Sequence, residues 1–183
     1  MRVSFELVPL TLATAPPVDA FLAAVDESRA SLTRWMPWCH ADYGRADVER
    51  WFGEADRMWR ERSAFHMTLL DSGRVLGVIG VHDIQLYGKR EGELGYWVRL
   101  SERGRGVAST AMRSMAAFAF NELRLARASM RIRLDNASSR RAAERAGARY
   151  EGALRHGIVH GDARFDAALY ALVPDDLVRP WAP

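Results

Sequence analysis

The spacing of apolar residues changes period within residues 64–146, and this constrains the fold more than any other feature of the chain. Ala64 to Leu70 and Val75 to Ile84 read as strands joined through Asp71-Ser72-Gly73. After a polar break from Lys89 to Gly92, Glu93 to Val98 reads as a third strand. From Gly106 the spacing turns helical, with Ala108, Met112, Met115, Ala119 and Leu123 on one stripe. Ala128 to Leu134 returns to strand. Ala137 to Ala146 is helical, with Gly147 placed as the residue just past a helix end. Upstream, residues 4–12 alternate as a first strand, and Pro17 suits the first turn of a helix through Val18, Phe21, Leu22 and Val25. A second helix is expected from Arg45 to Arg60, and two last strands over Tyr150 to Val159 and Arg164 to Val173. Pro180 to Pro183 reads as an irregular tail. A mostly antiparallel front half thus runs into a strand-helix-strand-helix unit. That order predicts an α/β (α+β) fold, a mixed central sheet with helices on its faces.

The length of 183 residues suits one domain with one sizeable core. The 26 Lys and Arg against 23 Asp and Glu give a net charge of +3, with Lys89 the single lysine. No basic run has the length of a nucleic-acid-binding tail, although a modest positive field favours a polyanionic small ligand. Cys39 is the only cysteine, so no internal disulfide forms, in keeping with a reducing compartment. The N-terminus lacks the plan of a signal peptide, and no apolar run reaches the roughly 20 residues of a membrane span. The chain is therefore expected to be cytoplasmic, with neither nucleic acid nor membrane as partner.

Arg103-Gly104-Arg105-Gly106-Val107-Ala108-Ser109 lies between a strand and an amphipathic helix. Two glycines allow a tight turn and close approach of backbone to ligand. The helix behind them offers unpaired N–H groups and a positive dipole end, a setting that binds phosphate with main chain. The stretch lacks the Gly-Lys-Ser/Thr ending of a Walker loop. It also departs from GxGxxG, since Gly106 is followed by Val107, Ala108 and Ser109. A strand-to-helix turn without a ligand is the alternative reading of this segment alone.

This turn and its surroundings resemble the GNAT acetyltransferase superfamily, whose Arg/Gln-x-x-Gly-x-Gly/Ala signature is matched by Arg103, Gly106 and Ala108. Glu93-Leu94-Gly95-Tyr96-Trp97-Val98 is similar to the family's fourth strand, and Asp135-Asn136-Ala137-Ser138-Ser139 to the opening of its fourth helix. Glu151-Gly152-Ala153-Leu154-Arg155 and Asp166 to Tyr170 look like its closing strands. With Trp35-Met36-Pro37-Trp38, the details are closest to the Rim-type branch, which includes ribosomal-protein N-terminal acetyltransferases. The resemblance covers roughly residues 4 to 173. It implies a single GNAT-like domain over 1–183, with about seven strands, a splay between strands 4 and 5, and about four helices.

The resemblance also implies acetyl-CoA as co-substrate, held by Arg103, Gly104, Arg105, Gly106, Val107, Ala108 and Ser109 at the diphosphate, and by the main chain of Trp97 and Val98 along the arm. Asn136 and Ser139 are candidates for further contact, Ser139 also as the proton donor to the leaving thiolate. Helix capping is the alternative for both. Glu93 is the candidate base, or else a surface carboxylate beside Arg90 and Glu91. Trp35, Trp38 and His82 are candidates for the acceptor side, although most tryptophans in a chain this size are core. Some Rim-type enzymes carry a later glutamate, whereas His156-Gly157-Ile158-Val159 has none. No metal is expected: His156 and His160 sit in a strand or turn and lack the HExxH glutamate.

The expected reaction is transfer of acetyl to a primary amine, a peptide or protein N-terminus, by direct attack in a ternary complex. A small amine as acceptor and a non-catalytic coenzyme-binding sensor are the alternatives. A homodimer is compatible with the Rim-type resemblance.

Overall fold

The computed structural model describes residues 4–178. Its elements follow the expected order: β1 (Glu6–Pro9), α1 (Val18–Trp35), α2 (Arg45–Glu61), β2 (Phe65–Asp71), β3 (Arg74–Gln85), β4 (Glu91–Val98), a 3-10 turn (Leu100–Glu102), α3 (Val107–Asn121), β5 (Arg127–Arg133), α4 (Ala137–Arg145), β6 (Arg149–His160), β7 (Ala163–Leu172) and α5 (Pro174–Val178). The strands form one seven-stranded sheet in the order β1-β2-β3-β4-β5-β7-β6. β1 and β2, β5 and β7, and β6 and β7 pair antiparallel, whereas β4 and β5 pair parallel. The mixed sheet with its helices is the expected α/β (α+β) architecture.

Two differences have identifiable causes. β4 begins at Glu91, inside the expected polar break, because Glu91 and Gly92 already pair with Arg127 and Ala128. Their ladder partners lie some way along the chain, so no local pattern marks them. A fifth helix, α5, occupies positions just beyond the expected core at residue 173. Pro174 is its first residue, and Asp176 Oδ2 accepts the Val173 N–H at 3.1 Å, a helix start closed from within. The expected tail from Pro180 to Pro183 lies outside the described residues.

The described residues gather into two compact units, one of residues 4–80 and 96–107, the other of residues 81–95 and 108–178. In the first, α1 and α2 share a core with β3 and the end of β4: Phe21, Val25, Leu32, Val48, Phe52, Val78 and Trp97 are all buried. Phe21 meets Phe52 and Trp97 edge-on, at centroid distances of 5.1 and 5.7 Å. α2 starts where the Asp47 carboxylate accepts the Gly44 N–H at 2.9 Å, and stops at Arg62 in the left-handed region. Gly77 closes the approach of β3 to β4: a Cβ there would stand 2.1 Å from the Trp97 carbonyl oxygen.

In the second unit the α3 stripe is buried as its spacing predicts, Met112, Met115 and Ala119 completely, as are Ala128 and Met130 of β5. Tyr170 of β7 is wholly buried, its hydroxyl donating to Glu144 Oε1 at 2.7 Å and accepting from Arg140 Nε at 3.3 Å. Burial, followed by the bond to Glu144, pushes this phenol up. The Arg113 guanidinium donates to the carbonyls of Ala146 and Leu177, both at 3.0 Å, capping the end of α4.

Candidate active site

The site residues are described unit by unit. In the first unit, β4 ends in Trp97 and Val98, both buried, and the chain turns through Arg99 and the 3-10 turn into Arg103-Gly104-Arg105-Gly106. Gly104 and Gly106 take φ of +75° and +86°, which side-chain-bearing residues rarely adopt, so the turn needs both glycines. Its arginines point to neighbouring groups: Arg103 Nε donates to the Val98 carbonyl at 3.2 Å and its NH1 to Ser31 Oγ at 2.7 Å. Arg105 NH1 meets Glu102 Oε2 at 2.6 Å. α3 then opens with Val107, and no acidic residue stands in its first turn to offset the positive dipole end. Ala108, small and half-buried, and the buried Ser109 follow Val107 in the second unit. Positive-φ glycines at the head of a 15-residue helix, with flanking cations and no carboxylate in the first turn, are the donor set a diphosphate needs.

The aromatic candidates divide. Trp38 is 37% exposed, and its ring lies 5.1 Å from Tyr43 and 6.2 Å from Trp97, an open face on a buried aromatic cluster. Burial, then the nearby Asp47 charge, pushes the Tyr43 hydroxyl up to about 12, so it stays neutral near physiological pH. Trp35 ends α1 under the Arg34 guanidinium, 4.6 Å from the ring centre. Cys39 is buried, and burial raises its thiol, the opposite of what activates a nucleophile.

In the second unit, β4 and β5 pair over Glu91, Gly92 and Glu93 against Arg127, Ala128 and Ser129, and splay beyond. Glu93, the candidate base, stands at the last paired position. Its Oε2 accepts from Arg131 Nε at 2.7 Å and lies 2.5 Å from NH2. The same Arg131 NH2 is 3.6 Å from Asp83 Oδ2, which in turn lies 3.3 Å from His82 Nδ1. The hydrogen bond that Arg131 donates to Glu93 holds its guanidinium above the usual range. His82 thus shares one charged cluster with Glu93. It also covers Gly95, where a Cβ would stand 3.1 Å from Nε2.

Asn136 caps α4: Oδ1 accepts from Ser139 N at 3.2 Å and from Ser138 Oγ at 3.0 Å. The capping role is therefore real for Asn136, and it sets Ser139 in the first turn of the helix. Among the described residues, no group of three or more His, Cys, Asp and Glu is arranged to hold a metal ion. No helix among them is long and apolar enough to cross a membrane.

Sequence reasoning missed the supports of these residues. Arg131 is one, although Glu91 and Glu93 on one strand facing Arg127 and Arg131 on the next is a readable charge pattern. Glu102 is another. It is 5% exposed and shared by Arg74 and Arg105. Glu27, Ser28 and Ser31 of α1 are the rest.

Comparison with known proteins gives the family. The Acetyltransferase (GNAT) domain family matches residues 5–149, and the chain belongs to that family. It is an acetyltransferase of GNAT type, and acetyl-CoA is the co-substrate that goes with that membership. Over 179 residues it is 27% identical to "Putative ribosomal N-acetyltransferase YdaF" of Bacillus subtilis (strain 168), covering 94% of this chain and 93% of the relative. Over 101 residues it is 33% identical to the ribosomal-protein-serine acetyltransferase of Escherichia coli (strain K12), covering 55% of this chain and 56% of that one. In fold, it superposes on RimL, the ribosomal L7/L12 alpha-N-protein acetyltransferase solved with coenzyme A, at a TM-score of 0.84. Identity there is 18%, with 96% of this chain and 97% of RimL covered. The names of the sequence relatives support the Rim-type branch, and the superposition supports the fold.

Proposed function

We propose that the chain, acting as one N-acetyltransferase domain over residues 1–183, moves an acetyl group from acetyl-CoA to the α-amine of a peptide or protein N-terminus in a ternary complex. The observation that carries this reading is the two-glycine turn at the head of α3, whose helix start is free of acidic side chains. The names of the Bacillus and Escherichia relatives support a ribosomal-protein acceptor. Cytoplasmic location and a homodimer belong to the same reading.

The main chain from Gly104 to Ser109 holds the diphosphate, with Arg103 and Arg105 beside it. Trp97 and Val98 present backbone groups that align the arm, and Asn136 and Ser139 contact it from the first turn of α4. When bound, acetyl-CoA supplies an acyl group activated as a thioester. Glu93 takes the proton that the amine loses as the N–C bond forms, directly or through a water. A free α-amine has a pKa of about 7.7–8.0, so this proton removal is modest. Ser139 Oγ delivers a proton to the sulfur as the C–S bond breaks and takes one back from solvent. Trp35, Trp38 and His82 line the acceptor side, where an aromatic face attracts the ammonium form on arrival.

The test is release of coenzyme A from acetyl-CoA over N-terminal peptides, amino acids, polyamines and aminoglycosides, with mass spectrometry locating the acetyl group. Peptide α-amines are expected to react fastest. Turnover confined to small amines, or none with any acceptor, overturns the proposal.

A further inference from the structure

One side of α1 holds the segment that leads into the glycine turn. Glu27 Oε1 accepts the Ser101 N–H at 2.8 Å, and its Oε2 accepts Arg99 Nε at 2.5 Å. Ser28 Oγ, which donates to the Ala24 carbonyl at 2.8 Å, accepts the Leu100 N–H at 3.0 Å. Ser31 Oγ accepts Arg103 NH1 at 2.7 Å. Residues 27, 28 and 31 fall within about 100° of arc on a helix turning 100° per residue, so they form one face. Arg99, Leu100, Ser101 and Arg103 therefore hang on three side chains some 70 positions earlier in the chain.

These contacts are more than surface decoration. Ser28 is 1% exposed, and its hydroxyl is satisfied both as donor and as acceptor. Hydrogen bonds from Ser101, then from Arg99, hold the Glu27 carboxyl at about 2, well below its ordinary value. The segment they hold is a three-residue 3-10 turn, whose own hydrogen bonding is poor. A site that binds through main-chain amides works only if those amides are aimed before the ligand arrives.

We infer that Glu27, Ser28 and Ser31 are positioning residues of the donor site: they fix Arg99 to Arg103, and through them the backbone of the glycine turn. This rests on the reading of that turn as the diphosphate site.

The experiment uses the full chain. Acetyl-CoA affinity is measured by calorimetry, and kcat with the best peptide of the acceptor panel. Glu27→Gln should weaken acetyl-CoA binding about tenfold, the scale of one charge-assisted hydrogen bond, and leave kcat at saturating donor nearly unchanged. Ser31→Ala, a milder change, should move affinity in the same direction, and Glu27→Asp should restore part of the loss. Asp56→Asn is the control. That carboxylate accepts the Leu12 N–H at 3.1 Å and Arg60 Nε at 3.0 Å, so it ties a different segment. It should lower Tm without touching donor affinity. If Glu27→Gln and Ser31→Ala behave like Asp56→Asn, the inference is overturned. Gly106→Trp separates the two readings: preserved affinity there removes the diphosphate site itself, whereas abolished affinity beside normal Glu27 and Ser31 variants removes only the positioning role.

Discussion

Glu93 Oε2 accepts from Arg131 Nε at 2.7 Å and lies 2.5 Å from its NH2, so the guanidinium orients the carboxylate. Glu93→Gln keeps the shape and removes the basicity. It should lower kcat about 10²-fold, the size of one general-base contribution, while acetyl-CoA affinity measured by calorimetry stays near wild type. Wild-type turnover in this variant would remove Glu93 as the base.

Gly106 takes φ of +86° in the turn ahead of α3. Acetyl-CoA at about 100 times its dissociation constant should stabilise the native chain by about 2.7 kcal/mol, a rise in Tm of about 5–10 °C for a domain this size. Gly106→Trp strains a backbone conformation that side-chain-bearing residues rarely adopt and adds bulk at the helix start. A thermal melt with and without acetyl-CoA should show the shift in the native chain and none in the variant.

The Glu27 carboxyl lies at about 2 in the folded protein against an ordinary 4.5. The folded state therefore prefers the charged form. The stabilisation is complete above pH 4.5 and fades as the pH falls towards 2. Urea midpoints taken at pH 7, 5 and 3 should drop more steeply for the native chain than for Glu27→Gln. Parallel slopes would mean that Glu27 contributes nothing to acid sensitivity.

At Gly77 a methyl group would meet the Trp97 carbonyl oxygen at 2.1 Å, with φ at +154°. Neither strand can yield without disturbing the other. Gly77→Ala should cost about 3 kcal/mol or more, read as a lowered urea midpoint at unchanged m-value.

Trp38 presents an exposed face above Tyr43 and Trp97. Trp38→Ala should raise KM for the peptide acceptor about tenfold, as truncation of an aromatic anchor does, with a small change in Tm. An unchanged KM would make Trp38 a packing residue only.

Local pattern was enough for most of the fold. The α3 stripe, the Asp71-Ser72-Gly73 turn and the Gly147 helix end all sit where spacing and turn chemistry put them, since each is decided within a few residues. The glycine turn was equally readable, because positive φ leaves a mark in composition. The supports of the site were not. Glu27 and Ser28 look like an ordinary polar face of α1, and only Ser101 and Leu100, far along the chain, reveal their purpose. Glu102 reads as a surface charge until Arg74 and Arg105 close over it. The start of β4 at Glu91 depends likewise on its ladder to Arg127.

Helix α4 is fastened along its length: Asn136 at its head, the Tyr170 hydroxyl between Arg140 and Glu144, and Arg113 on the Ala146 carbonyl at its end. A nine-residue helix so pinned has little freedom left to surrender. The entropy of ordering the Ser139 turn is therefore lost once, when the chain folds.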